Sequence, residues 1–434
     1  MNRISKPLGA LIAALVSGVV AATGAGADAG LTVSGRAGDS VIIRGGGWGH
    51  GMGMSQYGAY GRALNGQSAA QIVEHYYTRA NVRVANMPNR VRVGLLQGRS
   101  RITATTAPFT TGGGDAEFSV AGSGVVTKGP SGTTWRVEAS ATGGMRLFKN
   151  GVRIKKDGVS VFGDPDHPLV MSYERFATLV SIKGKPHDYA YGKLLFGTYS
   201  TPCSDYCLRL VLKLPMQEYL FGLGEVPASW PGAALRAQAI AGRTYAFSKV
   251  RRLGQHLSPC DCAVHDSTVD QAYIGDSKRT GSGVYWDDWQ AAVTDTAGQV
   301  ILYGGEPIQA LYSSSSGGHT ENNENVWGGT PIPYLRGVND APDDVSANPN
   351  HKWRVTMSWS TFSGRLKGRF GTGTVRRVTL VRPFGVSGRV TVVKSASAGG
   401  VRIVGSDKTV RADGWDVRNA LGLRDSLFRI RVSD

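Results

Sequence analysis

The spacing of apolar and polar positions divides the chain into strand-like and helix-like parts. From about residue 83 to 199, apolar and polar residues alternate in short runs such as VRVGLL, WRVEA and VSIKG, which Gly, Asp and Pro separate. A period of two predicts strands with one buried face, so we expect a β-rich unit here. Beyond about residue 350, the runs VRRVTLVRP, GRVTVVK and VRIVG continue this pattern to a final strand near 426–432.

The clearest helical segment lies within GEVPASWPGAALRAQAIAGRTYAF, residues 224–247. Its Ala-rich run has high helix propensity, Pro231 suits a first turn and Ser229 can cap. At 100° per residue, small side chains fall on one narrow seam with Leu235, where another backbone could approach closely. A second helix is predicted over residues 68–77 from apolar positions at helical spacing.

Between these segments the chain leads into two polar regions. LRLVLKLPMQEYLFGLG, residues 208–224, predicts a strand and then a turn or short helix that ends at Glu225. Gly304-Gly305 predicts a hairpin whose second strand runs into four serines at 313–316. We therefore predict an α+β fold: a strand-rich protein of several units, with one Ala-rich core helix packed on a mixed or antiparallel sheet.

The N-terminus has the features of a secretory signal peptide. Arg3 and Lys6 precede an apolar run over residues 8–22, and Ala25-Gly26-Ala27 follows as a cleavage site. This run is shorter than the roughly 20 residues that cross a bilayer, so we predict a protein secreted to the cell envelope. The predicted division is signal peptide 1–27, N-terminal segment 28–82, β-rich unit 83–200, central core 201–345 and C-terminal β-rich unit 346–434.

The net charge of the chain limits the kinds of partner that we expect it to bind. The chain carries 49 Lys and Arg against 32 Asp and Glu, a formal net charge of +17. An exported basic protein favours polyanions, which in a bacterial envelope are teichoic acids and the carboxylates of peptidoglycan stems. Nucleic acid is not expected as a partner, because zinc-finger spacing, RNA-binding aromatic motifs and dense Lys/Arg blocks are missing from the sequence.

The four cysteines form two close pairs, Cys203 with Cys207 and Cys260 with Cys262. An even count in an exported chain favours disulfides. A bond across one residue at 260–262 would be strained, so cross-links between the pairs, or one local bond at 203–207, fit better. We expect no cofactor; a structural zinc site is the alternative, although the spacing matches zinc ribbons poorly.

Glu225 is a candidate acid. It lies before the helix cap in an irregular segment constrained by Pro227, so loop geometry would hold its carboxylate near the helix N-terminus. Such a position suits a working acid, but it also suits a carboxylate that merely complements the helix dipole. The local sequence leaves both interpretations open.

The polar segment SSSSGGHTENNENVWGG, residues 313–329, predicts either a binding loop or a solvated turn. A serine hydrolase and a zinc protease are disfavoured, because the sequence contains neither G-x-S-x-G nor H-E-x-x-H. GGGWGHGMG lacks the G-K-[ST] ending of a phosphate loop. Its glycines would more simply let the backbone run close to a large group.

Several long motifs together resemble the stage II sporulation protein D family. They are GEVPASWPGAALRAQAIAGRTYA, DSTVDQAYIG, the stretch over residues 292–329, PYLRGV and GWGHGMGMSQYGA. The tail VRADGWDVRNALGLRDSLFRI is similar more loosely. Two features depart from the family pattern: GWGHGMGMSQ opens the mature chain instead of closing it, and Asp270-Gln271 stands where His-Gln is common.

The resemblance implies a lytic transglycosylase that cleaves the linkage between N-acetylmuramic acid and N-acetylglucosamine in peptidoglycan glycan strands. Glu225 matches the family's catalytic glutamate. One carboxyl can protonate the leaving oxygen and then take a proton from the muramoyl C6 hydroxyl. For this cycle its pKa should be raised, and burial against Trp230 or Tyr245 could raise it.

The resemblance also implies a substrate groove. We expect Arg243 and the serines to bind acetamido or oxyanion groups, and Trp327 or Trp230 to stack on sugars, although each could be structural. The N-terminal pair would complete the site if that segment folds back, close to Glu225. The expected substrate-binding residues are Gln238, Arg243, Tyr245, Asp270, Gln271, Ser315, Ser316, His319, Glu321, Asn325, His50 and Gln56.

Two other functions remain open. The chain could be a noncatalytic wall-binding enhancer of a peptidoglycan amidase, which would then be its partner. It could also be a glycan hydrolase in which Asp270, Glu321 or Glu324 activates water. The glycan ends in the products distinguish the three functions.

Overall fold

The computed structural model describes residues 31–433; the predicted signal peptide lies outside them. The fold is α+β, as predicted, with 23% of residues in helices and 33% in strands distributed over several sheets. The helices are Gln56–Leu64, Ala69–Tyr76, Met216–Phe221, Gly232–Leu253, Ser277–Ser282, Trp286–Asp295, Asn323–Val326, Trp359–Phe370 and Gly414–Leu421.

Two large sheets build the β-rich half. In spatial order, one consists of Val264–His265, Arg90–Arg99, Cys207–Pro215, Lys193–Tyr199, Leu169–Tyr173, Ala116–Val120 and Val125–Gly129. The other consists of Val152–Arg153, Met145–Lys149, Thr134–Ala139, Arg101–Pro108, Thr178–Ile182 and Asp188–Tyr189. Alternating apolar residues from both sheets form one core around Phe118, Trp135 and Phe196, which also includes Leu235 of the long helix.

A second core lies near the C-terminus and includes the first strands of the described chain. One sheet has the order Thr32–Val33, Val375–Leu380, Val401–Gly405 and Thr409–Ala412. Another places Ser40–Gly45 between Trp353–Ser358 and Phe428–Ser433. Residues 388–394, predicted to form a strand, do not: Val390 and Val392 donate their backbone N–H groups to Ser426 and Asn325 instead of to a neighbouring strand.

The remaining strands form two small sheets next to the long helix. The hairpin predicted at Gly304-Gly305 is confirmed, and both glycines have positive φ, 58° and 85°. Its second strand ends at Pro307, however, so it does not run into the serines as predicted. The antiparallel sheet has the strand order Glu306–Pro307, Gln299–Tyr303 and Asn81–Val84. In the other small sheet, Tyr312–Ser313 runs parallel to Met54–Ser55.

The core helix is Gly232–Leu253, and it packs on the antiparallel sheet, as expected, and on four other helices. Pro231 occupies the N-cap, and Ser229 does not cap the helix. The small-residue seam has a clear function at Gly242, where an added Cβ would lie 2.9 Å from Leu223 and 3.3 Å from Gln271. Close packing on this seam holds the segment before Glu225 and the segment around Gln271 against the helix.

The cysteine prediction is partly wrong. Cys203 and Cys207 are bonded, as one of the expected arrangements had it, but Cys260 and Cys262 are also bonded to each other, with their Cα atoms 5.1 Å apart. Between the last two, Asp261 adopts a positive φ of 53°, which reverses the chain within one residue. Among residues 31–433, no helix is both long enough and apolar enough to cross a membrane.

Candidate functional site

A cleft of about 540 Å³ contains Glu225 and brings together segments that are distant in the sequence. The N-terminal glycine loop, residues 45–53, forms one wall, and the C-terminal helix Gly414–Leu421 closes one end. The residues that line the cleft are Trp48, Gly49, His50, Gln56, Glu225, Tyr245, Thr268, Val269, Asp270, Leu311, Tyr312, Ser313, Ser314, Trp327, Trp415 and Arg418. Residues from both ends of the chain therefore share one site.

Glu225 is fixed in this cleft by a short strand-like pairing. Gly224 donates its N–H to the Ala272 carbonyl at 2.7 Å, and Ala272 donates its N–H to Glu225 Oε1 at 2.6 Å. Burial raises the pKa of Glu225 above its ordinary value; the Ala272 N–H, the Tyr312 and Gln56 side chains and the Lys278 charge oppose that rise without cancelling it. The acid form therefore persists to higher pH than in water.

The two aromatic residues that we expected to bury Glu225 have other partners. Trp230 packs on Tyr57 and Tyr60, with ring centroids 5.1 and 5.2 Å away. Tyr245 lines the cleft but donates its hydroxyl to Asp270 at 2.7 Å. The Tyr312 side chain hydrogen-bonds to Glu225, and this residue was not among those expected from the sequence.

A second depression of about 370 Å³ opens on the other side of Glu225. Lys278 lines it, donates to the Val226 carbonyl at 2.5 Å and lies 4.8 Å from the centre of the Trp289 ring. Burial lowers the pKa of Lys278 to about 8, and the Glu225 charge opposes this. Lys278 was missed because no motif marks a lysine that only the fold brings to the acid.

The other cleft carboxylate, Asp270, is already paired. It accepts hydrogen bonds from the Tyr245 hydroxyl and from the His265 N–H at 2.8 Å, and it forms an ion pair with Lys249. Glu225, by contrast, accepts hydrogen bonds from neutral groups, namely the Ala272 N–H and the Tyr312 and Gln56 side chains. The two carboxyl groups in the cleft therefore have different electrostatic surroundings.

Three glutamines lie close to Glu225. Gln56 donates to the Glu225 carbonyl at 3.4 Å and to Gln238 Oε1 at 3.3 Å, so the N-terminal segment folds back onto this site. Gln271 accepts from Tyr219 at 2.9 Å and donates to the Tyr312 hydroxyl at 2.8 Å. Gln238 and Gln271 are almost fully buried and do not line the cleft, so they support the site from behind.

The placement of Arg243 corrects our expectation that it lines the groove. Its side chain is fully buried, and its guanidinium donates to the carbonyls of Val293 and Gln299, both at 3.1 Å. These bonds connect the core helix to the antiparallel sheet and to the helix Trp286–Asp295, which precedes that sheet in the sequence. The periodicity could not show this, because the core helix is buried on almost every side.

Ser315 and Ser316 are likewise interior residues. Ser315 donates to Asp343 at 2.8 Å and Ser316 donates to Asp340 at 2.7 Å, and all four side chains are buried. The preceding serines, at 313 and 314, line the cleft instead. The polar segment is therefore neither a solvated turn nor wholly a binding loop, since much of it is a buried hydrogen-bond network.

Apart from Trp327, the rest of the polar segment does not line the cleft. Glu321 accepts hydrogen bonds from Asn325 at 2.8 Å and from the Val386 and Ser387 N–H groups at 3.1 and 3.0 Å, so it attaches a C-terminal turn. His319 lies against the Thr320 carbonyl at 2.7 Å. Their placement corrects the expectation that His319, Glu321 and Asn325 line the groove.

The glycine loop wraps a buried ion pair. Arg389 makes two 2.8 Å bonds to Asp425 and two more, also 2.8 Å, to the carbonyls of Ser316 and His319. An added Cβ at Gly51 would lie 2.2 Å from the guanidinium carbon. This pair is the large group that the glycines allow the backbone to approach.

His50 lines the cleft on the same loop. Its Nδ1 accepts the Met52 N–H at 3.0 Å, and its ring packs on Trp327 with centroids 5.2 Å apart. Burial lowers the pKa of His50 to about 4, and the charges of Arg389 and Arg418 act in the same direction. His50 and Glu225 share the cleft, and Tyr312 contacts both through its backbone and its hydroxyl group respectively.

Exposed aromatic residues edge the cleft. Trp48 and Trp327 are 49% and 52% exposed, and Trp415 joins them from the C-terminal helix. Arg418 packs on Trp415, with its guanidinium carbon 4.6 Å from the ring centre. Flat apolar rings beside hydrogen-bonding groups suit the faces and hydroxyls of sugar rings.

The short hairpin of residues 257–262, which carries Cys260 and Cys262 and which we call the cysteine hairpin, was the alternative location for zinc. Cys260, Cys262 and His265 place their ligand atoms within 4.8 Å of one another. The two sulfurs are bonded to each other, however, so one imidazole is the remaining donor of this group in the disulfide form. The residues as arranged do not fit a zinc site.

The fold and the cleft define an α+β protein with a buried acid in a cleft edged by aromatic rings. Residues 205–303 match the family model SpoIID, described as a stage II sporulation protein. The chain thus carries a domain of the stage II sporulation protein D family, which includes Glu225, the core helix and the cysteine hairpin. The glycine loop and the serines lie outside the matched residues.

Individual relatives agree with this assignment. The chain is 28% identical over 256 residues to stage II sporulation protein D of Bacillus subtilis, covering 57% of this chain and 69% of that protein. It is 30% identical over 226 residues to stage II sporulation protein D of Bacillus amyloliquefaciens, covering 50% and 60%. It is 37% identical over 134 residues to the amidase enhancer of Bacillus subtilis, covering 31% and 16%. The last two matches span less than two thirds of those relatives.

Proposed function

We propose that this protein is a peptidoglycan lytic transglycosylase in which Glu225 acts as both acid and base. The family domain and the similarity to an amidase enhancer support a function related to the cell wall. The observation that carries the finer proposal is the contrast between the two carboxyls in the cleft: Glu225 has a raised pKa, whereas Asp270 is paired with Lys249.

The proposed reaction needs one carboxyl and no water. Protonated Glu225 donates its proton to the glycosidic oxygen as the bond from C1 of the muramoyl residue breaks. The resulting carboxylate then takes the proton of the C6 hydroxyl, whose oxygen bonds to C1 and forms a 1,6-anhydro ring. The Ala272 N–H and the Lys278 charge stabilise the carboxylate between these steps.

The positions of the other acids argue against hydrolysis. A hydrolase of the expected kind needs a second carboxylate free to activate water or attack the sugar. Asp270 is paired with Lys249, Glu321 accepts backbone N–H groups away from the cleft, and Glu324 is paired with Arg336. Each candidate base is therefore already engaged.

The test is product analysis with purified glycan strands, both with stem peptides and stripped of them. We expect 1,6-anhydromuramoyl ends by mass spectrometry, and loss of at least about 100-fold in rate for Glu225→Gln, which keeps the shape but cannot carry a proton. Glu306→Gln is the matched control, because Glu306 forms only an exposed ion pair. Reducing ends from the wild-type protein would instead show hydrolysis.

The similarity to an amidase enhancer favours one second candidate, a noncatalytic wall-binding function that increases the activity of a separate amidase. Its test combines a purified peptidoglycan amidase with this protein. Faster release of stem peptides, unchanged by Glu225→Gln and without any glycan cleavage, would favour this candidate over the transglycosylase.

A further inference from the structure

One face of the N-terminal strand carries arginines in direct register across three strands. In the sheet of Trp353–Ser358, Ser40–Gly45 and Phe428–Ser433, Arg44 lies opposite Arg354 on one side and Arg429 on the other. Directly opposed residues point to the same face, and strands lie about 4.8 Å apart. The three side chains therefore form one row, roughly 10 Å long, which we call the arginine row.

This face is the outer one. Val41 and Ile43, the alternate residues of the central strand, are fully buried in the C-terminal core, whereas Arg44 and Arg354 are exposed and Arg429 is partly exposed. Two more arginines extend the charge: Arg431, exposed and two positions along the same strand as Arg429, and Arg382. The row thus belongs to a larger cationic surface.

The cationic side chains lack internal compensation. Among residues 31–433, none of these five arginines lies within 4.0 Å of a carboxylate, although exposed ion pairs are frequent elsewhere in the chain. Like charges placed directly opposite each other across a sheet are destabilising. The row therefore has a cost in stability that an external anion would remove.

Part of the surface is held in place. Arg429 donates to the carbonyls of Phe428 and Gly388 at 2.8 and 3.1 Å, and its guanidinium carbon lies 4.2 Å from the centre of the Phe384 ring. Arg382 lies over the same ring at 5.2 Å. Packing that fixes a guanidinium reduces the entropy lost when it binds a ligand.

We propose that the arginine row binds a linear polymer that carries phosphate groups along its length. The guanidinium fork matches phosphate oxygens, and an open row of cations favours a repeating ligand over a single enclosed anion. Phe384, the ring that these arginines contact, is half-buried against the C-terminal core, so it offers little surface for stacking nucleic-acid bases. A phosphodiester polymer without bases is therefore the expected ligand.

The arginine row lies close to the cleft, so a polymer bound there could position the cleft. The central strand ends at Gly45 and the chain reaches Trp48 at the edge of the cleft four residues after Arg44, so the two lie at most roughly 14 Å apart along the backbone. A polymer held on the row would keep the cleft close to the material in which that polymer is embedded. This inference does not depend on the reaction proposed for Glu225.

The test measures binding of the whole mature protein to fluorescently labelled poly(glycerol phosphate) by anisotropy over a range of salt concentrations. The variant is Arg44→Gln/Arg354→Gln/Arg431→Gln, which leaves the packed Arg429 intact. The matched control is Arg83→Gln/Arg99→Gln/Arg153→Gln, which removes three exposed arginines that form no ion pair in the described chain. Both triple variants lose the same charge.

We expect the row variant to bind about tenfold or more weakly at low salt, with the slope of log affinity against log salt reduced by roughly two units. The control should stay within about twofold of wild type. The thermal midpoint of the row variant should be unchanged or higher, since repulsion is removed. Equal losses in both variants would overturn the proposal, as would tighter binding of single-stranded DNA of equal charge through the same arginines.

Discussion

The buried pair of Arg389 and Asp425 offers a sharp test of how the site is held together. Both side chains are almost fully buried, at 1% and 0% exposure, and the guanidinium also donates to the carbonyls of Ser316 and His319. Asp425→Asn keeps the shape but removes the negative charge. It also places an amide that can donate against a guanidinium that can only donate.

The size of the effect follows from burial. Removing one partner of a buried ion pair leaves an uncompensated charge and costs about 3–5 kcal/mol. The Arg251–Glu306 pair is 64% and 63% exposed, and losing such a surface pair costs about 0–1 kcal/mol. Asp425→Asn should therefore lower the free energy of unfolding by several times the effect of Glu306→Gln.

The assay is urea unfolding followed by tryptophan fluorescence and circular dichroism. With slopes of about 1–3 kcal/mol per molar urea, the transition that includes the C-terminal core should move down by about 1 M or more for Asp425→Asn. Glu306→Gln should move it little. If both variants shift the transition equally, then the pair does not connect the glycine loop, the serines and the C-terminal unit as we describe.

Three further predictions follow from the same contacts. Gly51→Ala should be far more destabilising in thermal unfolding than Gly66→Ala, because both glycines have positive φ but only Gly51 faces an atom at 2.2 Å, whereas Gly66 faces open space; equal midpoints would contradict the tight wrapping. Lys278→Met should raise the pKa of Glu225 further, since the lysine charge lowers it, so the alkaline limb of kcat/KM should move to higher pH; an unmoved limb would exclude this coupling. His50 has a folded pKa of about 4 against an ordinary 6.5, so the unfolded state takes up its proton first and stability should fall as pH drops from 6.5 to 4. His50→Gln should show a shallower fall over that range; an equal slope would show that His50 is not the group responsible.

Short sequence patterns correctly predicted those helices and turns that depend on a few neighbouring residues. The helix predicted over residues 68–77 is present as Ala69–Tyr76, with a full capping box at Ser68 and Gln71. The Gly304-Gly305 hairpin and the Ala-rich helix are equally local, since turn chemistry and helix propensity lie within a few residues. The β-rich stretch followed from the period-two pattern.

Tertiary contacts decided the rest. Arg243 and the pair of serines at 315 and 316 are polar residues in a promising motif, yet buried carbonyls and aspartates are their partners. Tyr312 and Lys278 contact the Glu225 region only because distant segments meet there. The Cys260–Cys262 bond depends on a positive φ at Asp261, which no residue pattern announces. Periodicity gives the faces of elements, but it does not give the partners of buried polar groups.

The central claim is that one buried carboxyl in the cleft both donates and accepts the proton. Its most direct test is mass spectrometry of the ends formed when wild-type protein and Glu225→Gln are incubated with purified glycan strands. The account predicts 1,6-anhydromuramoyl ends from the wild type and none above background from the variant, with Glu306→Gln behaving as wild type. Anhydro ends produced by Glu225→Gln at the wild-type rate would contradict it.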